Sequence, residues 1–353
     1  MNTSPPSSKL VPSNPASAVT VVEIRDPTAI GQAIQVLDQE AVQLNSKPLR
    51  ARQIVVRLGA SFLVFHATNL PLRTRTRLLD GFVGLVAFGP RAAGTLNGLP
   101  VGPERVLACK SGIEVEFVVA AGYESVDFFV PPDDILAHLR GRHREGEFHL
   151  PNGVELLQPT PAAARGLFGL GRRLADVAVR QPQLFDAPQT QVAAQVEVLE
   201  ALLATFGSAG HIESAAGDLT RQAHSRLVQV TEDYALAHAA EPLYVTDLCE
   251  AAGVSERTLQ YAFKEVMGMT PVAYLTRLRL HRVRQALRAA TYGSTTVTAE
   301  ALRWGFWHFG EFSRAYKRCF GELPSDTLRQ ESSAVVKPAA RDANPRRRRN
   351  DDI

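Results

Sequence analysis

The sequence predicts a multidomain α+β chain, a β-rich barrel or sandwich followed by helices, and three observations carry that expectation. Short apolar runs broken by Gly and Pro fill residues 49–130. From Pro161 the apolar spacing turns helical. Between residues 241 and 328, a helix, a glycine turn and a second helix occur twice. A length of 353 residues suggests about two domains. Hydrophobic residues at 45% and charged residues at 21% match an ordinary folded protein and exclude collagen-like or globally disordered chains. The net charge of +3, from 39 basic and 36 acidic side chains, is too small for a polyelectrolyte, so any basic surface must be local. Cys109, Cys249 and Cys319 lie far apart, without metal-clamp or secretory spacing, which fits a reducing, cytoplasmic setting. No basic segment leads into an apolar one at the amino terminus, and no run approaches about 18 apolar residues; neither export nor membrane insertion is expected.

Residues 1–18, rich in Pro and Ser, read as a disordered leader, because little burial is available there to offset the entropy of ordering. The runs 54–58, 62–65, 82–88, 106–109, 113–119 and 126–130 read as strands of one β domain over 19–155. Pro131, Pro132, Asp133 and Asp134 then open a helix, with acids at its positive end. Residues 156–217 read as a helical connector, two helices parted near Pro182. Their stripes, Leu167, Leu170, Leu174 and Val177, then Val192, Val196, Leu199, Leu202 and Leu203, suit packing or self-association in a homodimer. Residues 218–330 form the helical domain, and 331–353, with Arg346 to Arg349, a loose basic tail.

In that domain, residues 219–240 read as a helix. Residues 245–252 make a short one stopped at Gly253, and Ser255 stands as N-cap of the next, with Leu259, Phe263 and Val266 spaced for burial. That is a helix-turn-helix, whose second helix fits the major groove. Ser255, Glu256, Arg257, Thr258, Gln260, Tyr261 and Lys264 are the exposed candidates for DNA contact on the first presenting helix. The pattern recurs with a helix over 296–304, a turn at Gly305 and Phe306, and a presenting helix over 311–320, with Phe312, Tyr316 and Phe320 inward. Its candidates are His308, Phe309, Gly310, Glu311, Arg314 and Arg318. Between the units, residues 271–290 form an acid-free helix bearing five arginines, a rod of about 30 Å against a DNA repeat of about 34 Å. Arg277, Arg282 and Lys317 are candidate phosphate contacts, which position the protein while base contacts specify.

The stretch EPLYVTDLCEAAGVSERTLQYAFKEV, the rod, and ALRWGFWHFGEFSRAYKRCFGELPSDTL together resemble the AraC/XylS family of bacterial transcription regulators over about 90 residues. Gly305, Phe306, Phe312, Ser313, Arg314, Tyr316, Lys317, Gly321 and Pro324 carry the family signature. Within the family, the wording is similar to ethanolamine-operon regulators. The resemblance implies an activator, a cupin-like effector-binding and dimerising domain at the amino terminus, no cofactor and no catalysis. It also implies double-stranded DNA, RNA polymerase and a small-molecule effector as partners, the effector an amino-alcohol or a corrinoid. By the family pattern, positions 257, 260 and 261 face one groove and 308–311 with 314 the next. Phe309 and Gly310 depart from a polar reader, so the second half-site is expected to be read more loosely.

Other features read as structural. His138, His143 and His149 match no metal-ligand spacing. Gly166, Gly169 and Gly171 follow no strand and suit helix packing rather than a dinucleotide loop, and Trp304 and Trp307 read as core and boundary residues beside the second turn.

Overall fold

A computed structural model describes residues 17–211, 216–241, 243–291 and 293–329. Most of the expected leader and all of the expected basic tail lie outside these residues.

The amino-terminal half is built of strands β1 (Val19–Ile24), β2 (Leu37–Gln43), β3 (Ala51–Leu58), β4 (Ser61–Thr68), β5 (Leu72–Leu78), β6 (Val83–Phe88), β7 (Gly94–Leu96), β8 (Leu99–Val101), β9 (Val106–Lys110), β10 (Glu114–Val119), β11 (Glu124–Val130), β12 (Val154–Gln158) and β13 (Gly210–His211). They form two antiparallel sheets, ordered β1-β3-β4-β11-β6-β9-β12-β13 and β2-β5-β10-β7-β8. The expected barrel is thus a pair of facing sheets that do not close into one among the described residues. Side chains alternate faces along a strand, and both sheets use both faces. Ala51, Val64, Leu72, Val86, Val119 and Phe129 fill the space between the sheets. Ile54, Val56, Leu63, Val126 and Phe128, one residue out of step, point to the outer face of the larger sheet.

That outer face is covered by helices. After α1 (Pro132–Arg140), α2 (Pro161–Arg180) and α3 (Pro188–Gly207) lay Leu167, Leu170, Leu199, Leu202 and Leu203 on it in one continuous core. Gly171 allows the close approach, since a Cβ there would come 2.3 Å from Val126 Cγ1. Gly171 therefore serves packing, whereas a Cβ at Gly166 would meet open space and one at Gly169 only the end of Arg173. The two helices thus share the β domain's core, while Val177 and Val192 remain exposed. His138 is buried, its Nε2 2.8 Å from Glu200 Oε1.

The carboxy-terminal half is helical: α4 (Ala216–Ala237), α5 (Val245–Ala252), α6 (Glu256–Met267), α7 (Pro271–Ala289), α8 (Val297–Arg303), α9 (Phe309–Phe320) and α10 (Pro324–Arg329). It has two cores. Val228, Leu248, Leu259, Phe263, Tyr274 and Leu278 form the first, joined by Val42 of β2. Leu280, Val283, Leu287, Ala301, Phe312 and Tyr316 form the second. Helix α7 supplies both, its first half to one and its second half to the other. Among the described residues no helix is long and apolar enough to cross a membrane.

Candidate nucleic-acid interface

The first presenting helix, α6, starts where the sequence places it. Ser255 Oγ accepts the Thr258 N–H at 3.3 Å, Gly253 closes α5 in the left-handed conformation, and Asp247 accepts the Tyr244 N–H at 2.8 Å. Leu259, Ala262, Phe263 and Met267 bury one face. The other leaves Ser255, Glu256, Arg257, Thr258, Tyr261 and Lys264 exposed and Gln260 half-buried. Arg257, Thr258, Gln260, Tyr261 and Lys264 line one open hollow of about 560 Å³. Tyr261 is 63% exposed, yet its ring meets His224 of α4 edge-on at 5.5 Å, and His224 also pairs with Glu265. No sequence signal singled out His224, the ring neighbour of Tyr261 on α4.

The second presenting helix, α9, starts at Phe309, two residues earlier than expected, with His308 at its cap. Phe312, Tyr316 and Cys319 are buried, and His308, Phe309, Gly310, Glu311, Arg314, Lys317 and Arg318 are all exposed. Phe309, 42% exposed, offers an apolar contact of the kind that suits a thymine methyl. The turn before α9 is tightly constrained. Gly305 has φ +76°, and a Cβ there would lie 2.6 Å from the Ala239 carbonyl oxygen, which is why this position requires glycine. Trp304 packs into the second core, and Trp307 is exposed.

The rod, α7, lies against the β domain. Arg277 donates to the carbonyls of Gln43 and Asn45, at 3.3 and 2.7 Å, and to Ser46 Oγ. Arg282 forks onto Glu40 at 2.5 and 2.6 Å. Arg284 reaches Asp26 and Glu322, both at 2.8 Å, and Arg288 reaches Asp26 at 2.7 Å. In this arrangement the two α7 phosphate candidates, Arg277 and Arg282, are engaged by protein groups, while Lys317 of α9 is exposed. Arg279 is half-buried beside Gly305, its Nε and Nη2 without hydrogen-bond partners, and burial lowers its pKa. A second set of ties joins β5 to α4. Arg75 pairs with Asp233 at 2.5 Å, and the fully buried Arg73 bridges Glu116 of β10 and Glu232 of α4.

Burial alone would raise the Asp26 carboxyl. The Arg284 guanidinium, the Thr28 N–H, Arg288 and the Thr28 hydroxyl outweigh it and hold Asp26 below its ordinary 3.8. An acid whose folded pKa is depressed stabilises the fold above its unfolded value and loses that contribution as pH falls through the folded one. The stability gap between wild type and Asp26→Asn, measured by urea unfolding, is expected to hold steady above about pH 5 and to shrink below about pH 4. A gap that stays constant down to about pH 2 would remove Asp26 ionisation from the interface.

A helix-turn-helix domain model matches residues 248–330. A solved probable AraC family transcriptional regulator from Rhodopseudomonas palustris is 38% identical, covering 29% of this chain and 94% of that one, with a TM-score of 0.27. A probable thc operon regulatory protein of Rhodococcus erythropolis is 42% identical over 103 residues, 29% of this chain and 31% of that one. XylDLEGF operon transcriptional activator 2 of Pseudomonas putida is 33% identical over 132 residues, 37% of this chain and 78% of that one. The chain belongs to the AraC/XylS family. In AraC/XylS terms, the matched residues contain α6, α9 and the whole of α7, and the β domain lies outside the helix-turn-helix match. The match covers about a third of the thc relative's length.

Proposed function

We propose that this chain is a sequence-specific DNA-binding transcription regulator, an activator acting as a cytoplasmic homodimer with RNA polymerase, catalysing no reaction and controlled by a small molecule held in the β domain. The observation that carries the DNA-binding reading is the pair of exposed polar faces on α6 and α9, each backed by its own core. The 19 residues of α7 give a spacer of about 28 Å, near one DNA repeat, so that the two helices can address successive major grooves. Names of activators among the relatives support the direction of control.

Effector control has a physical handle in the interface between the halves. Arg277 and Arg282 can serve phosphates only after the β domain lets go of them, and a ligand that binds one arrangement more tightly shifts that balance. The likeness to ethanolamine-operon regulators proposes an amino-alcohol or corrinoid effector. The space between the sheets, about 80 Å³, does not admit a corrin ring.

Arg257→Ala is expected to weaken operator binding by about 1–3 kcal/mol and to relax preference at one base pair, as loss of a bidentate guanine contact does. Competition between specific and random duplex at fixed salt measures this. An equal loss on every sequence would reassign Arg257 to a phosphate.

A further inference from the structure

We propose that the cavity between the two sheets receives a small primary ammonium compound, whose three N–H groups are accepted by Asp127, Gln53 and Gln39. The proposal rests on the effector-control reading and gives the effector its chemistry.

The cavity measures about 80 Å³, several times the roughly 10–15 Å³ that one water needs. Strand register builds its polar wall. Gln53 of β3 lies opposite His66 of β4, His66 lies opposite Ser125 of β11, and Asp127 follows two residues along on the same face. His66 Nε2 is 3.0 Å from Asp127 Oδ2, and a carboxylate oxygen only accepts, so Nε2 carries the hydrogen. His66 Nδ1, 3.1 Å from Gln53 Nε2, then accepts from that amide. In this arrangement the Gln53 Oε1 is turned away from the ring, buried and without a partner. Asp127 Oδ1 is in the same state. From the facing sheet, Gln39 donates its Nε2 to Thr76 Oγ1 at 3.0 Å, leaving its own Oε1 buried and unpartnered.

Three orphan acceptors therefore belong to residues that line one cavity. Buried polar atoms of this kind call for donors. Charge narrows the class. Arg52, which also lines the cavity, is next to Gln53 on β3 and so turns its side chain to the opposite face, its Nε 3.0 Å from Glu23 without an aligned hydrogen bond, which leaves the Asp127 carboxylate as the charge to be met. Burial first, and the Asp127 charge second, raise both the Tyr123 phenol and the Cys109 thiol, the latter to about 12. Val86 and Phe117 supply apolar wall for a short carbon stem. An ammonium group has three donors and one positive charge, which matches three acceptors of which one is ionised.

The wall also connects to the interface between the halves. Along β5, Thr74 and Thr76 point inward while Arg73 and Arg75 point outward to Glu232 and Asp233 of α4. A ligand that shifts β5 moves both faces together.

The test uses the full chain without DNA. Thermal unfolding and titration calorimetry are run with ethyl-, propyl-, butyl- and benzylammonium chlorides at millimolar concentration, against propionate, 1-propanol and potassium chloride at matched ionic strength. At least one ammonium ion is expected to raise the melting temperature and bind one to one, with the neutral and anionic probes inert. Asp127→Asn is expected to weaken that binding about tenfold or more, as loss of a charged hydrogen-bond partner does. Gln39→Leu, on the other sheet and away from His66, is expected to weaken it while circular dichroism stays native. Propionate binding in place of the amines would mean a reversed Gln53 amide and overturns the proposal. No shift with any probe would mean that the cavity holds only water, and overturns it too. Operator occupancy is measured separately: amine binding that leaves it unchanged would sink effector control and keep the site.

Discussion

Arg73→Met is expected to lower stability by about 3–5 kcal/mol, the usual result of removing one partner from a buried ion network. Arg73 is 2% exposed. Its Nε and Nη2 donate to Glu116 Oε2 at 3.1 and 2.8 Å, and its Nη1 donates to Glu232 Oε1 at 2.9 Å. Ser225 caps the other Glu116 oxygen at 2.8 Å, and Tyr274 donates to Glu232 at 3.0 Å. Methionine fills the volume but leaves two carboxylates buried across the join of β5, β10, α4 and α7. Burial raises the Glu232 pKa, and Glu116 adds to the rise, against the pull of Arg73 and Arg75. Ionisation of Glu232 thus opposes folding, and Glu232→Gln, which keeps the Tyr274 contact, is expected to cost less than Arg73→Met. The double variant Arg73→Met/Glu232→Gln is expected to be more stable than Arg73→Met alone, a coupling that a double-mutant cycle isolates. Urea unfolding is the measurement. A loss under about 1 kcal/mol would put the network on a par with a surface pair and deny it any part in joining the halves.

How much of this was legible depended on which face of each element carried the apolar signal. Five of the six runs expected as strands lie in the larger sheet and are apolar on both faces, buried under α2 and α3 on one side and under the second sheet on the other, whereas β10, in the smaller sheet, turns Val115 and Val119 inward and Glu114 and Glu116 outward. Strand β5, LRTRTRL, was missed for the opposite reason: its outward face carries Arg73, Arg75 and Arg77, so only alternate positions read as β. Strand β2, LDQEAVQ, hides in the same way. The start of α6 was legible to the residue because capping, a glycine turn and 3.6-residue spacing are local rules. The arginines of α7 show where local rules stop. Charge and spacing placed them on a rod beside DNA, whereas their partners, Asp26, Glu40 and the Gln43 and Asn45 carbonyls, lie more than 230 residues away in sequence. No periodicity carries such pairings. The cavity was invisible for the same reason, since Gln39, Gln53 and Asp127 meet only after three strands from two sheets are registered.

Phe312→Ala is expected to cost about 3–5 kcal/mol, the range for truncating a buried aromatic side chain, and to remove the second helix-turn-helix while leaving the first. Phe312 is 2% exposed and packs between Phe306 and Tyr316, ring centroids 5.0 and 5.8 Å away. The second core is small, with α8 short and α9 held chiefly by Phe312, Tyr316 and Cys319. The first core has its own anchors, Leu259, Phe263 and Tyr274. Because α7 gives its first half to one core and its second half to the other, the two units share a rod and keep separate interiors. Hydrogen exchange should therefore quicken across residues 297–320 in Phe312→Ala while residues 245–267 stay protected, as expected when local stability differs between cooperative units. Footprinting should show protection over the groove addressed by α6 and lose it over the other. Uniform exchange through both units would mean that the rod welds them into one cooperative body, in which case neither presenting helix could be loosened without the other, and reading the second half-site more weakly than the first would have no structural basis.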